Sequence, residues 1–151
     1  MKKATRLLLT ERPKSRLVNV VKVYKEYAKL NECQKNAMLM ADEGEAEERF
    51  AITSGWLVGD FLENIGTALI PHFWVYDLIE KKYFDPTPVS SNDNFEYVED
   101  FDIALEGLSY EGKPPPALRL DANGNYYVRK GKDNFEAIKN INIAELYSFL
   151  D

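Results

Sequence analysis

Apolar positions along this chain change period several times, and each change predicts an element. From Ser15 to Leu30 the apolar residues Leu17, Val20, Val21, Tyr24, Tyr27 and Ala28 recur at helical spacing with lysines between them, which predicts a helix capped by Ser15. Val18 and Val23 pull the other way, because β-branched side chains also suit strands. Asn31 reads as a break, and a second helix is expected from about Glu32 to Glu48, ending in an acidic run from Asp42. Phe50 to Val58 predicts a strand, with Gly55 inside it marking a bulge or the close approach of another backbone or a ligand. Gly59 to Leu69 mixes polar and apolar residues and reads as a loop or short helix, a candidate lid. Ile70 to Tyr76 and Lys82 to Asp85 predict an antiparallel hairpin turning through Asp77–Lys81, and Pro86 ends its ladder because it has no N–H to donate.

Beyond Pro88 the periodicity weakens. Val89 to Asp102 reads mainly as loop, and Glu111-Gly-Lys-Pro-Pro-Pro116 as a stiff, extended connection. Ala117 to Leu120 and Asn125 to Arg129 flank Asp121-Ala-Asn-Gly124, a hairpin signal. Asn134 to Lys139 and Ile143 to Leu150 look like short helical pieces. The pattern holds no internal repeat. It suggests one domain over residues 1–151, with a basic N-terminal arm (1–14), a core (31–88) and a loop-rich C-terminal elaboration (89–151).

Composition narrows the class. A hydrophobic share of 45% with 29% charged residues is that of a folded chain. Nine Tyr and eight Phe favour β structure with aromatic packing. A net charge of −6 argues against a nucleic-acid partner, which needs a basic footprint. The exception is the basic start, Met1-Lys-Lys-Ala-Thr-Arg6 through Arg16, expected to be a solubilising or partly ordered terminus. Leu7-Leu-Leu9 is too short for a signal sequence, and no run approaches the roughly 18 apolar residues of a membrane span. With a single cysteine there is no internal disulfide framework, and a cytoplasmic location is expected. The acidic run lacks the ordered spacing of a calcium loop, and Asp121 with Asn123 reads as a turn, so neither a metal nor a cofactor is expected.

The candidate chemistry lies in three places. His72, the only histidine, shares a strand face with Trp74 and Tyr76, and the predicted hairpin brings it nearly opposite Asp85. Opposed residues have Cβ atoms about 4.5–5.5 Å apart, close enough for a carboxylate to accept from an imidazole N–H. Cys33 falls in the first turn of the second helix, where unpaired N–H groups and the helix dipole favour a thiolate. Each residue alone is ordinary: a buried small hydrophobe, a core histidine, a turn aspartate. Together they predict a nucleophile, its base and the group that orients the base. The backbone N–H of Cys33 is the expected first oxyanion donor, with Asn31, Asn36 and the Trp56 indole as candidates for the second. Trp74 is expected to pack beneath the imidazole, and Trp56 to serve as core or cleft wall.

The series Cys33-x-x-Asn36-Ala37, Ser54-Gly55-Trp56, His72-x-Trp74 and Asp85-Pro86-Thr87 resembles the transglutaminase-like branch of the papain superfamily. It also resembles small uncharacterised proteins of phage and bacterial genomes. The resemblance covers roughly residues 32–88. It implies an α+β fold with a papain-like/transglutaminase-like core, its nucleophile helix packed on an antiparallel sheet. It further implies a Cys-His-Asp thiol enzyme that hydrolyses or transfers an acyl group held as amide, isopeptide or thioester, with a peptide or protein as substrate. Papain-type enzymes place a Gln before the Cys; none precedes Cys33, so the oxyanion hole departs from that pattern. Arylamine N-acetyltransferases share the triad and an Asn three residues after the Cys, but their arginine-glycine lead-in is missing. The competing expectation is a catalytically silent protein-binding module on the same scaffold, a phage accessory or host-interaction factor.

Overall fold

Two long strands carry the architecture. In the computed structural model, which describes residues 1–62, 66–88, 95–132 and 134–150, β3 (Phe50–Leu62) and β4 (Gly66–Asp77) pair antiparallel along most of their length. Around them stand α1 (Lys3–Glu11), β1 (Arg16–Val18), β2 (Val20–Lys22), α2 (Cys33–Glu43), β5 (Lys82–Asp85) and β6 (Glu96–Glu99). The chain continues through α3 (Asp102–Gly107), β7 (Leu118–Leu120), β8 (Tyr126–Gly131), β9 (Asn134–Ile138) and α4 (Ile143–Leu146). Nine strands form one sheet in the order β1-β6-β3-β4-β7-β8-β9, with β5 added to β4 and β2 added to β5. The β2–β5 pair is parallel; the other pairs among the described residues are antiparallel.

The outer edge of β4 is split between two neighbours. β5 pairs with Val75 to Asp77, and β7 pairs with Thr67 to Leu69. Residues 70–74 lie between these ladders, and among the described residues no strand pairs with them on that side. The sequence allows this because Pro71 falls inside the gap. Its nitrogen has no hydrogen to donate, and a proline in a strand is tolerated where no partner strand needs that N–H.

Alternation along β3 and β4 divides the core in two. Trp56, Val58, Phe73 and Val75 face the helices and pack with Leu8 of α1, Ala37 and Met40 of α2, Ile103 of α3 and Ile143 of α4. Leu57 and Trp74 face the opposite way and form a smaller cluster with Tyr97, flanked by Val18 and Val20. Gly55 is needed where the sheet is tightest: a Cβ there would lie 2.0 Å from the Val98 carbonyl oxygen and 2.6 Å from the Trp74 ring. The close approach predicted at Gly55 is thus a backbone and an indole. Because a carbonyl inside a ladder cannot move aside, Gly55→Ala is expected to cost about 3 kcal/mol or more, read as a lower urea midpoint at unchanged slope.

The expectation of an α+β, papain-like/transglutaminase-like core is overturned. The described residues form a mostly antiparallel nine-stranded sheet with four short helices, the longest of 11 residues. The helix expected over Ser15–Leu30 is absent; Arg16–Val18 and Val20–Lys22 are strands, because β6 and β5 offer edges that pair with them. Asn134–Ile138 likewise pairs with β8 instead of coiling. Gly59 to Leu69 is not a loop or lid on its described part, since β3 runs to Leu62 and β4 begins at Gly66; residues 63–65 lie outside the described residues. The α2 helix starts where expected but ends at Glu43, before Gly44. The basic start is helical, with Leu8 fully buried and Arg12 hydrogen-bonded to Asp100 and Asp102. Of the expected Val89–Asp102 loop, residues 89–94 lie outside the described residues and Glu96–Glu99 is strand β6.

Candidate active site

The gap in the outer edge of β4 is where the chemistry collects. Cys33, the first residue of α2, reaches it from the helix side of the sheet. His72 lies within the gap, on the same face as Trp74, whose ring stacks on the imidazole at 6.1 Å between centroids and 26° between planes. Asp85 ends β5. Continuing the β4–β5 register puts Asp85 across from Trp74, so it is a diagonal rather than a direct neighbour of His72. The imidazole closes that offset: His72 Nε2 lies 2.9 Å from Asp85 Oδ2. With Nε2 committed to the carboxylate, Nδ1 is the nitrogen left for the thiol, and Cys33 hydrogen-bonds to the His72 side chain. The Phe73 backbone N–H also donates to the sulfur. That edge of β4 is open to the sulfur because, among the described residues, no strand pairs with residues 70–74 on the side away from β3.

Electrostatics follow from this packing. Burial alone would push the Cys33 thiol up, but hydrogen bonding to His72, the imidazolium charge and the Phe73 N–H outweigh it, leaving the thiol below its ordinary value. Burial likewise opposes the imidazolium, yet Asp85 and the Cys33 thiolate raise His72 to about 9. Asp85 is fully buried, which disfavours its charge, but its hydrogen bond to His72, with Lys22 and Tyr97, depresses it to about 2. Near neutrality Asp85 is therefore a carboxylate and His72 an imidazolium, and the Cys33 thiol is shifted toward its thiolate.

A pocket of about 350 Å³ opens on Cys33 and His72. Its walls are Leu30, Leu57, Ile70, Pro71, Pro88 and Pro114, with Asn31 and Thr87 as neutral polar groups. The proline connection supplies one wall: the Tyr147 hydroxyl donates to the Lys113 carbonyl at 2.6 Å, tying that segment down beside the site.

The predicted residues divide clearly. Cys33, His72 and Asp85 come together. Asn31 lines the pocket, with its backbone at φ 64°, a left-handed conformation asparagine tolerates. Asn36 does not reach the pocket. It is buried, exchanges hydrogen bonds with the backbone of Lys29 and donates to Thr87 Oγ1 at 3.1 Å, so it ties α2 to the Asp85 turn. Trp56 is neither cleft wall nor oxyanion donor. It opposes Pro71 and so points to the face away from His72, fully buried, with Nε1 donating to Asp100 at 3.1 Å. Trp74 is buried beneath the imidazole. Two residues that the sequence did not single out also hold Asp85: Lys22 and Tyr97. Tyr97 lay in an acidic-aromatic stretch, and Lys22 in what read as a helix; neither carries a local signal.

The fold and site together define an antiparallel β protein with a thiol, imidazole and carboxylate array set in a gap of its sheet. Compared with models of protein families, with curated proteins and with solved structures, the chain matches none. Among the described residues no helix is long and apolar enough to cross a membrane, and no three His, Cys, Asp or Glu side chains converge on a metal position.

Proposed function

We propose that this chain is a cysteine-nucleophile acyl hydrolase or acyltransferase that acts on an amide, isopeptide or thioester through Cys33, His72 and Asp85. The observation that carries the reading is the chain of contacts from Cys33 to His72 to Asp85, with Cys33 and His72 at the wall of an open, mainly apolar pocket and Asp85 buried behind them. Cys33 Sγ attacks the carbonyl carbon, and a sulfur–carbon bond forms while the carbonyl electron pair moves to oxygen. As the first residue of α2, Cys33 has a backbone N–H with no partner inside the helix, which makes it the proposed first oxyanion donor, and Asn31 is the side-chain amide in the lining able to join it. His72 gives its Nδ1 proton to the leaving nitrogen or sulfur as the carbonyl re-forms, leaving an acyl-enzyme. Water or an amine then attacks the thioester, loses a proton to His72 and releases Cys33. Asp85 keeps Nε2 protonated and the ring in place throughout.

Among the described residues the lining bears no charged side chain apart from His72 itself, which favours an uncharged, apolar acyl group on a peptide or protein. A reducing compartment suits a thiolate enzyme, and we place the protein in the cytoplasm, with no role in nucleic-acid binding given its acidity. The test is mass spectrometry of the protein incubated with p-nitrophenyl esters. Octanoyl and phenylacetyl esters are expected to add their acyl mass to Cys33 at least about tenfold faster than a succinyl ester, whose carboxylate would be desolvated unpaired. Cys33→Ser is expected to show no adduct. If no ester forms an adduct on the folded parent, the chain is instead a silent protein-binding module.

A further inference from the structure

Asp85 Oδ2 is shared among three donors: His72 Nε2 at 2.9 Å, the Tyr97 hydroxyl at 2.5 Å and Lys22 Nζ at 3.1 Å. Its other oxygen accepts from the Thr87 N–H at 2.9 Å. Lys22 arrives by strand pairing, since the parallel β2–β5 register sets it directly beside Asp85. Its ammonium is fixed there by the Thr87 carbonyl at 2.6 Å. A lysine needed only for solubility would extend into water. This one ends on the single carboxylate oxygen that also holds the imidazolium.

We propose that Lys22 is a positioning residue for the reaction: its ammonium draws on the same Asp85 oxygen as His72 and so sets how firmly Asp85 holds the imidazolium. The inference rests on the thiol-enzyme reading above. A carboxylate serving the imidazolium alone binds its proton strongly and makes it a weak acid. His72 must nevertheless release that proton to the leaving group, and a general acid works best when its proton affinity is close to the working pH. Lys22 and Tyr97 withdraw part of the Asp85 charge and ease that release. The groups facing His72 are Asp85, Cys33, Trp74 and Tyr97, with Lys22 behind Asp85. Glu99, on the same sheet face, is satisfied separately by Thr53, Tyr83 and Arg16 at 2.8, 3.0 and 2.8 Å.

Because His72 is the only histidine, its ring protons give one titration curve by NMR. Lys22→Gln keeps a donor and removes the charge; it is expected to raise the His72 midpoint by about 0.5–1 unit, the size of a partly screened charge at this range. Lys22→Arg is expected to restore the parent midpoint. Tyr97→Phe, which removes only the hydroxyl, is expected to raise it as well. The alkaline limb of the acylation profile should move with the midpoint. If Lys22→Gln melts cooperatively and titrates as the parent does, Lys22 is a structural tie and the inference is overturned. Should Lys22→Gln not fold, an unmoved midpoint in Tyr97→Phe overturns it equally, since sharing of Oδ2 is then without effect. Failure of the parent to acylate Cys33 would sink the enzyme reading instead, and the NMR curves distinguish the two.

Discussion

His72→Ala is expected to slow iodoacetamide alkylation of Cys33 at pH 6 by about tenfold. An ordinary thiol near pKa ~8.5 is only about 0.3% thiolate at that pH, whereas hydrogen bonding to His72 and the imidazolium charge lower Cys33 below its usual value. The gain in thiolate fraction is offset in part because a low-pKa thiolate is intrinsically less nucleophilic, so the expected effect stays at about tenfold. On an acyl substrate the loss should be larger, about 10²–10⁴-fold, because the variant also lacks the acid that protonates the leaving group. The parent's pH profile follows from the same two groups. The proposed activity is expected to fall at low pH as the thiolate is protonated, and to fall again as pH rises through about 9, where His72 loses its proton. A monotonic profile controlled by an unperturbed thiol would contradict the ion pair.

Asp85→Ala is expected to be the most destabilising single change at the site, at about 3–5 kcal/mol by urea denaturation. Asp85 is fully buried and accepts from His72, Lys22, Tyr97 and the Thr87 N–H. Its removal strands buried donors and leaves the imidazolium without its counter-charge. The pH dependence gives the check. Asp85 has a folded value depressed from 3.8 to about 2, so its contribution is full above the ordinary value and disappears as pH falls through about 2. His72 is raised from 6.5 to about 9, so its contribution is full below the ordinary value and disappears as pH rises through about 9. The alanine variant should flatten both limbs of the parent's stability curve. A loss below about 1 kcal/mol would mean that the carboxylate is dispensable to the fold.

Local signals in the sequence were sufficient for the pieces closest to the chemistry. The turn from Asp77 to Lys81, the return strand ending at Pro86 and the helix starting at Cys33 each depend on residues a few positions apart, and all three form. The Asp121–Gly124 turn and its flanking strands were readable for the same reason. Where the reading failed, the deciding partner was distant. Leu17, Val20 and Val21 satisfy a helical period, but β-branched residues gain more as strands once β5 and β6 present open edges. Trp56 stayed open between core and cleft wall because a one-residue step along a strand reverses the face, and only the pairing of Gly55 with His72 fixes which face is which and puts Trp56 in the core.

By itself the sequence determined the three reactive residue types, their order and the short-range turns that carry them, because turns, caps and hairpins are specified by neighbours in the chain. Tertiary structure alone decided the nine-stranded sheet in place of a papain-like core, the gap at residues 70–74 where Cys33 meets His72, and the hold of Lys22 and Tyr97 on Asp85. Lys22 and Asp85 are separated by 63 positions. No periodicity spans that distance, and what joins them is which strand edge remained unpaired after the rest of the sheet had formed.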